Sequence, residues 1–507
     1  MFEVVGTAAL VGLLVAPVLV ALVALLLGGR APRLIGQVGA LFAGAGLVVA
    51  VVLALRAANP DVVSISAGIV GVTTDRLAVV LLMLIFGVST VVQAFAVRYL
   101  AGDLRAGWFT AGAALLTAAS AGLVTSSTLV SLALSWSVAG IALCLLLSTY
   151  WQLPTARDGV RRTATAFLFG DLALWAAVGL VTARRGTVAL QDLGAKQFTG
   201  PLVPVVAVLV VIAALSRSAQ IPFHRWLPAT LAAPTPVSAL LHAGVVNAGG
   251  ILLVRLSPLA TTEVAVGLTI LAGATTMAYG AVIMLVKPDI KGALAHSTMA
   301  QMGFMILTCG LGLWAAAVIH LVAHGFYKAT LFLSSGSAIA HHRRQAALPP
   351  AQRLTGRHRL GGLATALLLP LIALYAAVRL VGLPPGAHSA AQALLLFAEA
   401  TGAATTWGWL QRRPDLGGAV SAAVFLLPAA VGYVAVIDAV SGFLAPALPD
   451  PTLPTTTILA IVTVALISLG GLAALWYSPA ATPVQRVLYT RALSAGHLTP
   501  RPTGART

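Results

Sequence analysis

Residues 202–250 read LVPVVAVLVVIAALSRSAQIPFHRWLPATLAAPTPVSALLHAGVVNAGG. The stretch opens on an apolar run suited to a bilayer, and the run closes on a cation, Arg217. Pro222, Pro228, Pro234 and Pro236 then crowd a short span. Proline removes a backbone donor and ends or kinks a helix. Non-helical backbone survives at membrane depth only where protein buries it or where it lines a watery cavity. A second apolar run follows, with His242 among small residues that let helices approach closely. Broken helices are also how transporters build ion sites near the middle of the bilayer. The fold class that follows is all-α: a polytopic transmembrane bundle with at least one broken helix.

The rest of the chain agrees. Of 507 residues, 59% are hydrophobic and 8% are charged, and mean hydropathy is +0.98. A soluble protein needs a more charged surface than that. Apolar runs of about 20 residues recur from end to end, each long enough to span the hydrocarbon core. They are continuous rather than alternating, so strands are not expected. About fifteen helices are predicted, at 4–27, 34–55, 77–97, 108–125, 128–150, 163–183, 201–220, 236–254, 264–286, 292–312, 314–340, 360–381, 388–410, 417–440 and 455–477. The run Val4 to Leu27 lacks a basic start and is read as the first membrane helix rather than a signal peptide. GLPPG, at 382–386, is read as a loop. The chain then divides into N-terminal helices (1–70), a core (71–340), a basic loop (341–359), C-terminal helices (360–479) and a tail (480–507).

The net charge of +17 suggests nucleic acid until the cations are sorted by loop. Odd-numbered loops and the tail hold 21 of the 30 Lys and Arg, and even-numbered loops hold 6, or 7 with Arg379 at the end of a predicted helix. That asymmetry follows the positive-inside rule. It puts the odd loops and C-terminus in the cytoplasm and the N-terminus outside, and it excludes a nucleic-acid partner. The loop HHRRQAALPPAQRLTGRHR is the richest, and is read as a topology determinant. Cys144 and Cys309 lie inside predicted helices and are too few for a thiolate iron–sulfur cluster. No dinucleotide turn or phosphate loop appears, so no cofactor is expected in this chain.

Several ionisable residues fall inside the apolar runs: Asp171, Arg217, His242, Lys291, His296, Lys328 and Glu399. Such groups are costly in a membrane and usually mark ion paths. Asp171 and Glu399 are candidate countercharges for buried bases. In HLVAHGFYK (320–328), His320, His324 and Lys328 recur at every fourth position and stack on one helix face. The H-x-x-x-H spacing permits a metal, but Leu321 replaces the acid of a zinc peptidase helix and no further ligand is near, so no metal site is expected. Histidine titrates near neutral pH, and a proton relay suits the stripe better.

At these residues the sequence resembles a family. SAQIPFHRWLP, PTPVSALLHAG, DIKGALAHSTMAQMGFM (289–305) and HLVAHGFYKATLFLSSGS (320–337) are similar to the antiporter-like subunits of respiratory complex I and of multi-subunit sodium/proton antiporters. So is TTDRLAVVLLMLIFGVSTVVQAFAVRYLAGD (73–103). The resemblance implies about fourteen to sixteen helices in inverted repeats, with a buried chain of charges near the midplane. It places Arg217 where the family has a lysine, and His242, Lys291, His320, His324 and Lys328 at further relay positions. The family's Trp-Glu pair reads Trp136-Ser137 here, and Asp171 is the expected substitute for the missing acid. Arginine is not readily deprotonated, which is a second departure.

Within that family, HAGVVNAGG and VLYTRALSAGHL (487–498) are similar to DabB, the membrane subunit of an inorganic carbon pump. This implies a peripheral, cytoplasmic, zinc-containing partner resembling DabA. The present chain would supply the membrane anchor and the path for a proton or sodium ion that drives hydration of carbon dioxide to bicarbonate. The alternatives are a proton-pumping subunit of an NADH:quinone oxidoreductase-like complex, a cation/proton antiporter subunit, and a non-conducting scaffold.

Overall fold

A computed structural model describes residues 2–57, 63–186, 188–195, 200–260, 262–337, 356–382, 389–449, 482–496 and scattered positions between 454 and 471. The expected helix at 455–477, the loop at 382–386 and most of the basic loop 341–359 lie outside the described residues.

Helices α1 (Phe2–Leu27) and α2 (Pro32–Ala57) lead into a β-hairpin, β1 (Ser64–Ala67) and β2 (Val70–Thr73), in which Ser64 pairs with Thr73. The hairpin adds one short two-stranded pair to the all-α bundle. Residues 64–73 are too few to cross a membrane as a helix, and Gly68, at φ +63°, supplies the left-handed turn that closes the two strands. Ser131 Oγ donates to Gly71 O at 2.8 Å, and Thr128 Oγ1 to Ile69 O at 2.8 Å, so the hairpin seats the start of α5.

The core follows as α3 (Arg76–Tyr99), α4 (Ala106–Thr125), α5 (Leu129–Leu147), α6 (Pro154–Arg185), the single turn α7 (Asp192–Ala195) and α8 (Val203–Arg217). Helix α6 starts nine residues before the predicted helix (154 against 163). Pro154 suits a first turn, and Asp158 and Arg162 pair at 2.7 Å one turn apart, so the charged approach to the membrane is itself helical.

After α8 the chain leaves the helix. Ala219 adopts φ +51°, and a 3-10 segment runs over Phe223–Thr230 before α9 (Thr235–Ala243). The predicted helix 236–254 is two pieces. Helix α9 ends at Gly244, Val245–Asn247 form a 3-10 turn, and α10 (Ala248–Arg255) resumes. Gly249 lets α10 press onto the end of α8: a Cβ there would lie 2.3 Å from both Ala214 O and Ser218 Oγ.

Next come α11 (Glu263–Val286), α12 (Ile290–Gly310), α13 (Trp314–Ser334), α14 (Gly356–Val381), α15 (Ser389–Leu410), α16 (Leu416–Leu444) and α17 (Thr482–Gly496). The last of these is helical where only a tail was expected. It lies on α11, where Tyr279 and Lys287 donate to its final carbonyls at 3.1 and 2.6 Å. Among the described residues, eleven helices are long and apolar enough to cross a membrane. This is a multi-pass membrane protein.

Candidate ion path

Arg217 is fully buried at the end of α8. Its Nη2 donates to Asp171 Oδ1 of α6 at 2.8 Å, and Nη1 donates to Trp136 O of α5 at 3.1 Å. The Trp136 indole also donates to Asp171 Oδ1, at 2.8 Å. The guanidinium lies between the rings of Trp136 and Phe167, 4.3 and 4.1 Å from their centroids. Opposite charge and π-faces both favour a cation out of water. Ser137, where the resembled pair carries an acid, points elsewhere and accepts from Trp175 at 3.1 Å. The countercharge to Arg217 comes from α6 rather than α5.

His242, on α9, is buried against α12 and α13. Its Nδ1 lies 3.1 Å from Thr298 Oγ1, and its ring stacks on Phe332 at 4.3 Å. Lys328, on α13, is fully buried and donates to Ser297 Oγ at 2.9 Å and Leu294 O at 3.4 Å. Adjacent hydroxyls of α12, Ser297 and Thr298, therefore hold the lysine of one helix and the histidine of another. Sequence reading missed both; the only signal was a pair of hydroxyls beside His296 in an otherwise apolar helix.

The His320, His324 and Lys328 side chains share one face of α13. The rings of His320 and His324 are 5.8 Å apart and near parallel. Neither nitrogen of His324 has a partner among the described residues, and His320 Nε2 has none. His320 also borders a cavity of about 400 Å³ that reaches Thr401 of α15 and Tyr433 of α16.

Two expected residues stand apart. Lys291 Nζ donates to Ala233 O at 3.0 Å, which fastens the start of α12 to the segment before α9. His296 lies 2.8 Å from Gly292 O and faces Tyr279 rather than the stripe. Glu399 forms no ion pair among the described residues, and its Oε2 is unpartnered. No cluster that could hold a metal occurs among the described residues.

The transmembrane family described as NADH:quinone oxidoreductase/Mrp antiporter matches residues 126–411. A probable inorganic carbon transporter subunit, DabB1, of Halothiobacillus neapolitanus is 35% identical over 284 residues, 54% of this chain and 51% of its own. NADH-quinone oxidoreductase subunit L of Mycobacterium tuberculosis is 34% identical over 326 residues, 62% of this chain and 49% of its own. The chain spans about half the length of the curated relatives it matches. A solved Mrp complex from Dietzia sp. superposes with a TM-score of 0.64 at 27% identity, covering 99% of this chain and 61% of that one.

Proposed function

Because the chain belongs to the NADH:quinone oxidoreductase/Mrp antiporter transmembrane family, we propose that it conducts a monovalent cation, the proton in the first instance, as the membrane subunit of an inorganic carbon transport complex. One observation carries the conduction reading: buried ionisable groups follow one another through the core, several with unpaired nitrogens. Asp171 and Arg217 form one end. His242 and Lys328 meet across the hydroxyls of α12, and His324 and His320 continue along α13. Imidazoles that are not committed to fixed partners can take a proton on one nitrogen and release it from the other. Arginine keeps its proton, so the Arg217–Asp171 pair is a fixed ion pair at the head of the line rather than a relay step. Lys291, at the start of α12, stands at the edge of the line.

The carbon reading rests on the names of the similar DabB proteins. In it, a zinc-containing, DabA-like partner on the cytoplasmic side performs the hydration of carbon dioxide, and cation flow through this chain drives bicarbonate accumulation. The odd-numbered loops and the C-terminus face that partner in the cytoplasm, with the N-terminus outside.

The test is growth in ordinary air of a bacterium without carbonic anhydrase. It expresses this chain with and without a DabA-like, zinc-containing partner. Rescue by the pair alone, lost with Lys328→Met at unchanged membrane abundance, is the expected result. Full rescue by the Lys328→Met variant would exclude conduction along the stripe. Failure of the abundant wild-type pair would favour the redox-complex alternative.

A further inference from the structure

A polar line lies on α3 and α4, away from the charged groups. Gln93, Ser89 and Thr117 are all buried. Gln93 Nε2 donates to Ser89 Oγ at 2.8 Å, and Ser89 and Thr117 share a hydrogen bond of 2.7 Å. Gln93 Oε1 has no partner among the described residues. It lies against α2 where Gly39 makes room for it, since a Cβ at Gly39 would come within 2.6 Å. An unpaired buried acceptor destabilises a fold, and an apolar side chain of the same size would avoid that cost.

Each end of the line meets a cavity. Gln93 borders one of about 120 Å³ whose rim includes the exposed Pro32, Arg33, Ala101 and Gly102, at the α1–α2 and α3–α4 turns. Ser89 and Thr117 border another, of about 60 Å³, shared with Arg217, Asn247 and Gly244. Gly244 is exposed to it although it sits between two buried helices. One water needs about 10–15 Å³ of such space and two to four polar partners, and both cavities offer that. The Gln93–Ser89 hydrogen bond links the lining of one cavity to the lining of the other.

We propose that Gln93, Ser89 and Thr117 form a neutral gate. Through it, water and a small monovalent cation pass from the α1–α2 and α3–α4 turns to the cavity beside Arg217. Uncharged side-chain oxygens suit a monovalent ion, whereas a divalent ion calls for carboxylates, and no acidic residue lines either cavity among the described residues. The Arg217 charge is offset by Asp171, so an ion arriving in the inner cavity does not meet a bare cation. The gate rests on the conduction reading and adds to it a way in from the surface.

The test uses the full chain in sealed vesicles, with Cys144 and Cys309 replaced by alanine and Ser120→Cys as reporter. Ser120 borders the inner cavity beyond the gate. Silver ion is the probe, because it is a small monovalent cation that caps thiols against later alkylation. Silver added on the side of the two turns is expected to cap the reporter. Gln93→Leu and, separately, the isosteric Thr117→Val should each slow capping by about tenfold, equivalent to roughly 1.4 kcal/mol on the barrier. An unchanged rate in both variants, capping only from the opposite side, or no capping would overturn the gate. Slower capping in excess sodium assigns the gate to sodium, and no competition assigns it to the proton. No flux is measured, so a chain that caps as expected but carries no ion would end the conduction reading and leave the gate standing.

Discussion

Arg217 is the residue whose surroundings decide the most. Placing a cation at mid-membrane costs about 2.5–3.5 kcal/mol on insertion scales. Here Asp171, a carbonyl and two aromatic faces receive it. Asp171→Asn keeps the shape and removes the charge. Losing one partner of a buried pair typically costs about 3–5 kcal/mol, and the 22% exposure of the Asp171 side chain puts this case at the low end of that range. A melt in detergent should register the loss, and the double variant Asp171→Asn/Arg217→Met should recover most of it. Additive losses would show that the two residues do not act as a pair. The pairing was anticipated from the missing acid at Ser137, because Asp171 stood in a neighbouring apolar run. Thr298 and Ser297 were not anticipated, since nothing along the chain says which side chains of α12 face α9 and α13.

At the scale of elements, the interruptions matter more than the helices. Helix α10 is fixed by two devices. Gly249 seats it on α8, and Arg255 closes a salt bridge to Asp75 and donates to Val124 O. Asp75 also caps α3 by accepting from Ala78 N at 2.7 Å. Asp75→Asn keeps a capping oxygen but loses the ion pair, whereas Asp75→Ala loses both. Alanine should therefore cost more than asparagine by about 0.5–2 kcal/mol, the usual value of an N-cap. Equal melting temperatures for the two variants would mean that the cap contributes nothing. Gly249→Ala forces a Cβ into backbone and hydroxyl at 2.3 Å, so α10 must shift. Overpacking of this kind costs about 1–3 kcal/mol. Since Gly244 and Asn247 border the cavity beside Arg217, the same variant should also lower ion flux in reconstituted vesicles.

For the whole molecule, the charge asymmetry makes a topological prediction. The turn at Gly68 falls in an even-numbered loop and the turn at Gly102 in an odd-numbered one. Alkaline phosphatase, which folds only outside the cytoplasm, should be active when fused after residue 68 and inactive when fused after residue 102. The opposite pattern would reverse the orientation of the whole bundle.

Helix positions, the membrane setting and the location of the first break were legible in the chain itself. Length, continuous hydropathy and crowded prolines are local properties, and a lipid environment leaves a backbone few alternatives to helix. The charged stripe on α13 was legible for the same reason, because side chains four residues apart stack on any helix. The hairpin, the second break at Gly244, the fold-back of α17 onto α11 and the hydroxyls that hold His242 and Lys328 depend on tertiary structure. Each depends on contacts between segments far apart in sequence, and helix rotation about its axis is set by neighbouring helices rather than by local preference. Gln93 shows the limit most plainly. In the chain it is one polar residue in an apolar run; in the folded bundle it borders one cavity and bonds to Ser89, which borders another, a position that only the packing of α2, α3 and α4 creates.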